Sequence, residues 1–341
     1  INTKEKSVFA AGNLFLGDHT VKFGVDWTNN QIFNYYGRNQ NGAYRFSSLA
    51  DFQAGNPRNY DYRAPTPGGS YADIPAEFEI TNTGAFVQDS WAVNYNLNLT
   101  FGLRVDTPDF PDKPLSNGRI QEIYGLDNTT RPTTSIVQPR FGFNYNIEAD
   151  RPTQVRGGYG LFMGAPPNVW LSGVYQNTGL NYTEYSSSQT GGIGAIFSPD
   201  PNNQPTTGFS VSGRQNVDIL EPGFKMPSVW KANLALDHEL PWAGIVASAE
   251  VLSFWNKDGL YFNRLDLGSP TGIAPDGRSQ FFNAAGYNPA NYGPNGALNG
   301  RGVTARANRP AGIGDVILVR NTDKGGGNQA TFRLSKPMHD A

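Results

Sequence analysis

The segment that decides the fold is VQPRFGFNYNIE, residues 137 to 148, in which apolar and polar residues alternate without exception. One face carries Val137, Pro139, Phe141, Phe143, Tyr145 and Ile147. The other face carries Gln138, Arg140, Gly142, Asn144, Asn146 and Glu148. Because successive side chains of a β-strand point to opposite faces, this period of two predicts a strand with one apolar and one polar side.

The same alternation recurs along the chain, in LNLTFGLRVD, VKFGVDWT and WKANLALD among others. It is less regular in TNTGAFVQDSW, which fits either phase, and in QVRGGYGLFM, where Phe162 falls on the polar face. We predict an all-β protein with nine strands, at residues 6–16, 20–36, 76–92, 96–107, 135–148, 152–163, 226–239, 244–264 and 328–337.

The connections between these strands alternate in length. Tight turns at GDH, NYN, ADR and LPWAG follow the odd-numbered strands, whereas stretches of roughly 30 to 65 residues follow the even-numbered ones. Compact soluble domains use connections of about 4 to 6 residues, but outer-membrane barrels combine short periplasmic turns with long extracellular loops. The pattern therefore predicts a transmembrane antiparallel up-and-down β-barrel, with Trp91, Tyr95 and Trp242 beside the short turns as an aromatic girdle.

Composition excludes several other classes of protein. The longest apolar runs are four residues, far short of the roughly 20 that a spanning helix needs. Zero cysteines exclude disulfide scaffolds, thiolate metal sites and cysteine nucleophiles. A net charge of −2 without any basic block gives no reason to expect nucleic acid as a partner.

The polar faces of the predicted strands carry charged residues, which indicates a wide, wet or plugged lumen rather than a dry core. The residues expected to face this lumen, and to contact a plug or an anionic solute, are Arg104, Arg140, Arg156, Lys231 and Asp237. Bacterial single-chain barrels close with an even number of strands, so the odd count of nine predicts that strands are missing at both ends. The start at Ile1, without methionine or signal peptide, agrees with this expectation.

The segment TGAFVQDSWAVNYNLNLTFGLRVD resembles the middle of the barrel of TonB-dependent receptors. HTVKFGVDW, YRFSSLADFQAGNP, QPRFGFNYN, VRGGYGLF and VRNTDKGGGNQATFRLSKP resemble the Oar-like branch of that family, in the same order and spacing. The resemblance covers nearly the whole chain, and the ordered series is more specific than any single motif.

The resemblance implies about nine strands of a 22-stranded barrel that an N-terminal plug domain closes. It further implies energy coupling through TonB and uptake of a large, scarce solute such as a siderophore, cobalamin, glycan or peptide across the outer membrane of a Gram-negative bacterium. Residues 1–341 would then be part of a single barrel domain, with the plug and the C-terminal strands outside the sequence. Expected partners are outer-membrane lipid and lipopolysaccharide, TonB, the solute and an accessory surface lipoprotein.

The sequence offers weak candidates for a site. Loop aromatic residues that could hold the solute, or else pack the loop itself, are Tyr175, Tyr182, Tyr185 and Phe197. His19, His238 and His339 lack metal-site spacing, and SSSQTGG, GGIG and GGG are interpreted as loops. We therefore expect no enzyme, no cofactor and no metal.

Two alternatives to a TonB-dependent receptor stay open. A passive porin or surface adhesin would use the same strands without a plug. A soluble all-β carbohydrate-binding module or enzyme is the second alternative, with Asp237 and Glu239 as a conceivable carboxylate pair.

Overall fold

The computed structural model describes residues 2–165, 167–188, 197–207, 214–274, 276–282 and 307–336. Ten long strands are β1 (Asn2–Leu16), β2 (His19–Asn34), β5 (Ala76–Ala92), β6 (Leu97–Asp109), β7 (Ile136–Ile147), β8 (Thr153–Met163), β11 (Ser228–Glu239), β12 (Val246–Arg264), β15 (Ile313–Thr322) and β16 (Gly326–Ser335). Shorter strands are β3 (Ala43–Arg45), β4 (Asn59–Pro65), β9 (Tyr182–Ser188), β10 (Gln215–Leu220), β13 (Gly272–Ile273) and β14 (Ser279–Gln280). The α-helices are α1 (Leu49–Gln53), α2 (Gly118–Tyr124) and α3 (Asn168–Gln176), and Tyr71–Asp73 and Leu265–Leu267 are 3-10 turns.

The long strands form one antiparallel wall in the order β1-β2-β5-β6-β7-β8-β11-β12, with β15 and β16 both pairing with β12. Each strand of this wall pairs with the next long strand along the chain, as in an up-and-down barrel. All nine predicted strands are present, and the predicted fold class is confirmed.

The last strand position of the wall, next to β12, is longer than we predicted. β15 pairs with the upper part of β12, where Arg264 faces Ile317, and β16 continues down its lower part. The two strands thus occupy one position in the sheet and are separated by a break at residues 323 to 325, where Gly325 adopts a left-handed φ of 101°. The predicted start of this strand at residue 328 was therefore wrong, as was the interpretation of the whole GGG segment as loop. The predicted start of β1 at residue 6 was also too late.

The register places apolar side chains in continuous rows on one face of the wall. One row runs through Val25, Ala85, Val105 and Val137 on four neighbouring strands. The segment TNTGAFVQDSW, whose sequence fitted either phase, has its odd-numbered residues, such as Val87, on this face. An apolar outer band is the surface that a barrel presents to lipid.

Two levels of aromatic side chains border the apolar band. The lower level is the predicted one at the short turns, with Trp91, Tyr95 and Trp242. The upper level consists of Trp27, Tyr159, Trp230 and Trp255, and Tyr159 stacks on Trp230 with ring centroids 4.9 Å apart. Eight or nine residues of tilted strand separate the levels, a height of about 20 Å at about 3.3 Å per residue. That spacing agrees with an apolar band of roughly 25 Å.

The short turns form for local reasons. Gly17 has a left-handed φ of 61°, which suits the two-residue turn between β1 and β2. In the turn between β5 and β6, the side-chain oxygen of Asn94 accepts hydrogen bonds from the backbone N–H groups of Asn96 and Leu97, both at 2.9 Å.

The four long connections, residues 35–75, 110–135, 164–227 and 265–312, are called here the first to fourth loops. They form a joint structure, the loop cap. β4 of the first loop pairs with β9 of the third, and β10 of the third runs parallel to β15. Asn117 of the second loop donates a hydrogen bond to the carbonyl of Thr178 at 2.8 Å. Residues 186 to 188, which we interpreted as a flexible loop tip, belong to β9, whereas GGIG lies outside the described residues.

The largest hydrophobic core joins the loop cap to the polar side of the wall. Tyr175 of α3 stacks on Phe78 of β5, with centroids 4.2 Å apart and nearly parallel rings. Phe78 belongs to the even-numbered, inward face of β5, and Leu171, Val174 and Phe224 complete this part of the core. The third loop therefore folds inward over the mouth of the lumen.

Candidate functional site

The inward face of the wall contains a closed charge cluster around Arg104. Its guanidinium donates to Asp26 at 2.7 and 2.9 Å and to Asp106 at 2.6 and 2.7 Å. Asp106 is only 2% exposed and also accepts hydrogen bonds from Asn82 and Gln138. Arg104 is thus held by groups of the wall itself.

Gly84 makes the close approach of these charges possible. A Cβ at this position would lie 2.6 Å from Oδ2 of Asp26 and closer still to the guanidinium of Arg104. No side chain larger than hydrogen fits there unless the ion pair moves. Close packing of the Arg104–Asp26 ion pair therefore explains the glycine of the TGAF segment.

A second charge cluster lies on β8, β11 and β12. Arg156 contacts Asp237 at 3.0 Å and Glu250 at 3.7 Å. Both clusters combine one arginine with two carboxylates, and Arg333 of β16 adds a further positive charge near Asp237. Asp237 is thus engaged with Arg156, while Glu239 faces Arg151 at 3.7 Å.

Between the two clusters lies a patch with cations only. The guanidinium of Arg140 lies 4.6 Å from the ring centroid of Phe162, and the ammonium of Lys231 lies 5.6 Å from it. Within the described parts of the chain, no carboxylate is at ion-pair distance from either cation. Phe162 breaks the apolar alternation of its strand because its ring faces these two cations.

A cleft of about 520 Å³ opens among the loops above the wall. Its lining comes from the first, third and fourth loops and from β15. The described lining residues include four arginines and four carboxylates, namely Arg38, Arg63, Arg214, Arg309, Asp61, Glu184, Asp218 and Asp315. Together with tyrosines and amides, these charged groups offer hydrogen-bond donors and acceptors to a polar solute. The cleft is therefore not a hydrophobic pocket.

Arg63 is the best-fixed cation of the cleft. It is 8% exposed, its Nη2 donates to Glu184 Oε1 at 2.6 Å, and its guanidinium lies 3.9 Å from the ring centroid of Tyr182. Asn216 donates to the other oxygen of Glu184 at 2.6 Å. The buried Nε of Arg63 has no hydrogen-bond partner within the described structure. The cleft thus contains a rigid, mostly buried cation.

Asp218 is a half-buried acid of the cleft. Asn177 donates a hydrogen bond to its Oδ2 at 2.8 Å. Burial raises the pKa of the Asp218 carboxyl, and the nearby charge of Asp315 acts in the same direction. Gly173 of α3 leaves room for this carboxylate, because a Cβ there would lie 2.5 Å from it.

The ends of the fourth loop are tied at the rim of the cleft. Arg264 and Arg309 share Asp266 and Asp315, and Arg309 lies 3.0 Å from Asp315. Asp266 is fully buried and also accepts the backbone N–H of Val316 at 3.2 Å. This knot fixes the side of the cleft that β15 provides.

The structure separates the four predicted loop aromatics into two pairs. Tyr182 and Tyr185 line the cleft, where burial raises the pKa of Tyr182 to about 12 and Tyr185 stacks on Tyr62 at 6.0 Å. Tyr175 lies in the core on Phe78. Phe197 packs edge-on against Tyr44, with centroids 5.1 Å apart, in an aromatic group that also includes Phe46 and Phe52.

Sequence reasoning missed the charged residues of the cleft. Arg63 and Glu184 lie on β4 and β9, two short strands that face each other although more than a hundred residues separate them. YDYRAP, residues 60 to 65, does alternate tyrosines with polar residues, which was the available signal for β4. No local pattern could have shown its partner.

Within the described ranges, no group of three or more histidine, cysteine, aspartate or glutamate side chains is arranged to hold a metal ion. Over the same ranges, no helix has the length and apolar character needed to cross a membrane.

Solved structures show the same fold at low sequence identity. The chain is similar to two mutant forms of the ferric enterobactin receptor PfeA from Pseudomonas aeruginosa, at 13% and 15% identity and TM-scores of 0.51 and 0.50. Each match covers 99% of this chain and 34% of the receptor chain. A match to the copper transporter OprC has 13% identity and a TM-score of 0.44, covering 97% of this chain and 36% of that one. The chain thus spans about a third of the length of these proteins.

A search of curated proteins finds no significant match. The family model described as outer membrane beta barrel domain matches residues 3–250, well over half of the chain. The match covers β1 to β11, including the two charge clusters and the lower aromatic level. The resemblance predicted from the sequence is confirmed at the level of the fold, and the chain belongs to the outer-membrane β-barrel domain family of the bacterial outer membrane.

Proposed function

We propose that this chain forms the wall and the loop cap of a TonB-dependent receptor, of the Oar-like branch, that takes up a large, scarce solute across the outer membrane. The observation that carries the proposal is the cleft. Three loops from distant parts of the chain build it at the mouth of the lumen, and contacts with Glu184 and Tyr182 hold Arg63 in a fixed position. A pre-formed polar cleft at that place suits capture of a solute before transport.

The solute class that fits the cleft is a siderophore, glycan or peptide. Each of these carries many hydrogen-bonding groups, and the cleft presents guanidinium, carboxylate, amide and phenol groups together. Tyr182 and Tyr185 are the proposed aromatic contacts with the solute, while Tyr175 and Phe197 support the loops that carry them. The proposal assigns no catalytic residue to the chain.

The inward face of the wall has a separate proposed role. Arg104 and Arg156 have their own carboxylates, whereas Arg140 and Lys231 do not. We propose that these two cations contact acidic groups of a plug domain in the lumen, and that the plug couples to TonB. Further proposed partners are lipopolysaccharide around the barrel and an accessory surface lipoprotein at the loops.

The passive alternative, a porin or adhesin, makes a different prediction about energy. Uptake of a fluorescent or radiolabelled solute would be measured in cells with and without a protonophore, using ferric chelates, oligosaccharides and oligopeptides as probes. The receptor proposal expects uptake of one class to stop when the proton-motive force collapses. Undiminished uptake would establish the passive alternative instead.

The role of the cleft is tested with a matched pair of variants. Arg63→Gln removes the fixed cation, and Arg278→Gln removes an arginine that is 84% exposed in its side chain and lies outside the cleft lining. We expect Arg63→Gln to weaken binding of the transported solute about tenfold or more, since charge-assisted hydrogen bonds are worth roughly 1.5–3 kcal/mol. Equal binding by both variants would remove the cleft from the proposal.

A further inference from the structure

A groove marks the apolar face of the wall at its periplasmic end. On β12 the two outward residues at this level, Ala247 and Ala249, are small and half-buried. Ala249 lies between Leu236 of β11 and Phe332 of β16 in the register of the sheet. Two large side chains thus flank a small one across three strands.

The next row toward the periplasm repeats this arrangement. Ala247 lies between His238 of β11 and Leu334 of β16. The two rows together border an open groove of about 500 Å³ along β12, and Ser248 and Arg333 also belong to its lining. Elsewhere on the same face, Ala85 lies between two valines and is exposed, so an alanine alone does not make a groove.

A polar group stands at the lower end of the groove. His238 is the last residue but one of β11, next to the short turn that carries the exposed Trp242. Its Nδ1 lies 2.8 Å from the hydroxyl of Thr153, which fixes the ring. Since the two ring nitrogens lie on different sides of the imidazole, Nε2 is turned away from Thr153.

We propose that this groove is a binding site for one diacyl glycerophospholipid of the periplasmic leaflet. One acyl chain lies over Ala247 and Ala249, and the headgroup hydrogen-bonds to Nε2 of His238. The periplasmic position, level with the lower aromatic residues, selects this leaflet and hence a phospholipid rather than lipopolysaccharide. The proposal needs only membership of the outer-membrane barrel family, so it is independent of the transported solute.

The physical basis is shape rather than hydrophobicity. A lipid chain leaves one apolar environment for another when it enters the groove, so the gain comes from van der Waals contact with the side chains that flank the two alanines. A side chain that fills the groove should therefore remove the site without changing the polarity of the surface.

The test uses the purified protein in mild detergent, titrated with dipalmitoyl phosphatidylethanolamine and observed by native mass spectrometry. We expect Ala249→Leu to lower the apparent affinity for this lipid about fivefold or more, because the leucine occupies the space of the acyl chain. Ala85→Leu adds the same side chain outside the groove and should bind the lipid like the native protein. His238→Gln should cause a smaller loss and should affect the diacyl lipid and its lyso form alike.

The proposal is overturned if Ala249→Leu and Ala85→Leu bind the phospholipid equally. It is also overturned if the substitution reduces a lipopolysaccharide adduct instead. Folding of each variant is checked by its heat-dependent shift in gel electrophoresis. If Ala249→Leu does not fold, Ala247→Val and Ala249→Val partially fill the groove and are judged by the same comparison with Ala85→Val.

Discussion

The wall and the loop cap hold their ion-paired arginines in different ways. In the wall, Arg104 is enclosed by Asp26 and Asp106, residues of β2 and β6 that the repeating ladder brings together. In the loop cap, Arg63 meets Glu184 and Tyr182 through a pairing of two short strands from distant loops. The wall therefore depends on register, whereas the loop cap depends on contacts that do not repeat.

This difference has a consequence for function. Outside its charge clusters, the wall can accept polar substitutions on its inward face, but not on the outward face that contacts lipid. The loop cap has no such tolerant face around the cleft, because Arg63 and Asp218 are packed from several sides. Specificity for a solute can change in the loops while the wall stays the same.

The largest effect is expected from a charge on the outward face of the wall. Val87 faces outward on β5 about halfway between the two aromatic levels, and its neighbour Gln88 faces the lumen. Val87→Arg should lower the free energy of unfolding by about 2–4 kcal/mol, because the guanidinium would be placed in lipid. Gln88→Arg is the control and should change it little. Urea unfolding in lipid vesicles measures both, and equal losses would mean that the faces are assigned incorrectly.

The charge cluster of the wall should give the next largest effect. Arg104→Met leaves Asp26 and Asp106 as two carboxylates without a cation, and should cost about 2–3 kcal/mol of unfolding free energy in the same measurement. Lys22→Met removes an exposed cation from the same face of β2 and should cost less than about 0.5 kcal/mol. If both variants are equally stable, the charge cluster does not stabilise the wall, and backbone hydrogen bonds between the strands are sufficient.

Close packing around the cluster predicts a smaller loss. Gly84→Ala places a methyl group within 2.6 Å of Asp26 and should cost about 1–2 kcal/mol through displacement of the ion pair. Gly142→Ala is the matched variant on the same face, because its nearest neighbour would be 3.7 Å away. A crystal structure or unfolding curve of Gly84→Ala that shows no shift would contradict this account of the TGAF glycine.

The smallest effect concerns the loop cap at high pH. Burial raises the pKa of Tyr182 to about 12, from about 10 in the unfolded chain. The folded loops hold the phenol proton of Tyr182 more tightly than the unfolded chain does. The contribution of this protonated tyrosine to the stability of the loop cap is therefore fully present below about pH 10 and is lost as the pH rises through about 12. Tyrosinate absorbance should show a late titration step, and Tyr182→Phe should reduce its amplitude. An unchanged late step in this variant would place Tyr182 in water.

The sequence was sufficient for nine of the ten long strands of the wall because the structure of the wall repeats. Alternation in segments such as residues 137 to 148 predicted all nine strands, and the lengths of the connections predicted which ends carry turns and which carry loops. The sequence could not show that β15 continues the last strand of the wall, because VILV resembles any apolar strand and its pairing partner lies on β12.

The loop cap lay beyond such reasoning. Tyr182 and Tyr185 were expected in a site and do line the cleft, but Arg63, Glu184 and Asp218 were not expected. Their meeting depends on the pairing of β4 with β9 and of β10 with β15, and neither pairing has a local signal. Pairings between distant short strands are set by tertiary packing, which one sequence does not display.

The short turns and the loop cap should lie on opposite sides of the outer membrane. Because the chain has no cysteine, single cysteines report their own positions. Tyr95→Cys lies in a short turn and Leu115→Cys in the second loop, and the native residues are 95% and 53% exposed. A membrane-impermeant maleimide on intact cells should label Leu115→Cys, and should label Tyr95→Cys only after the outer membrane is opened. Labelling of Tyr95→Cys on intact cells would contradict the account.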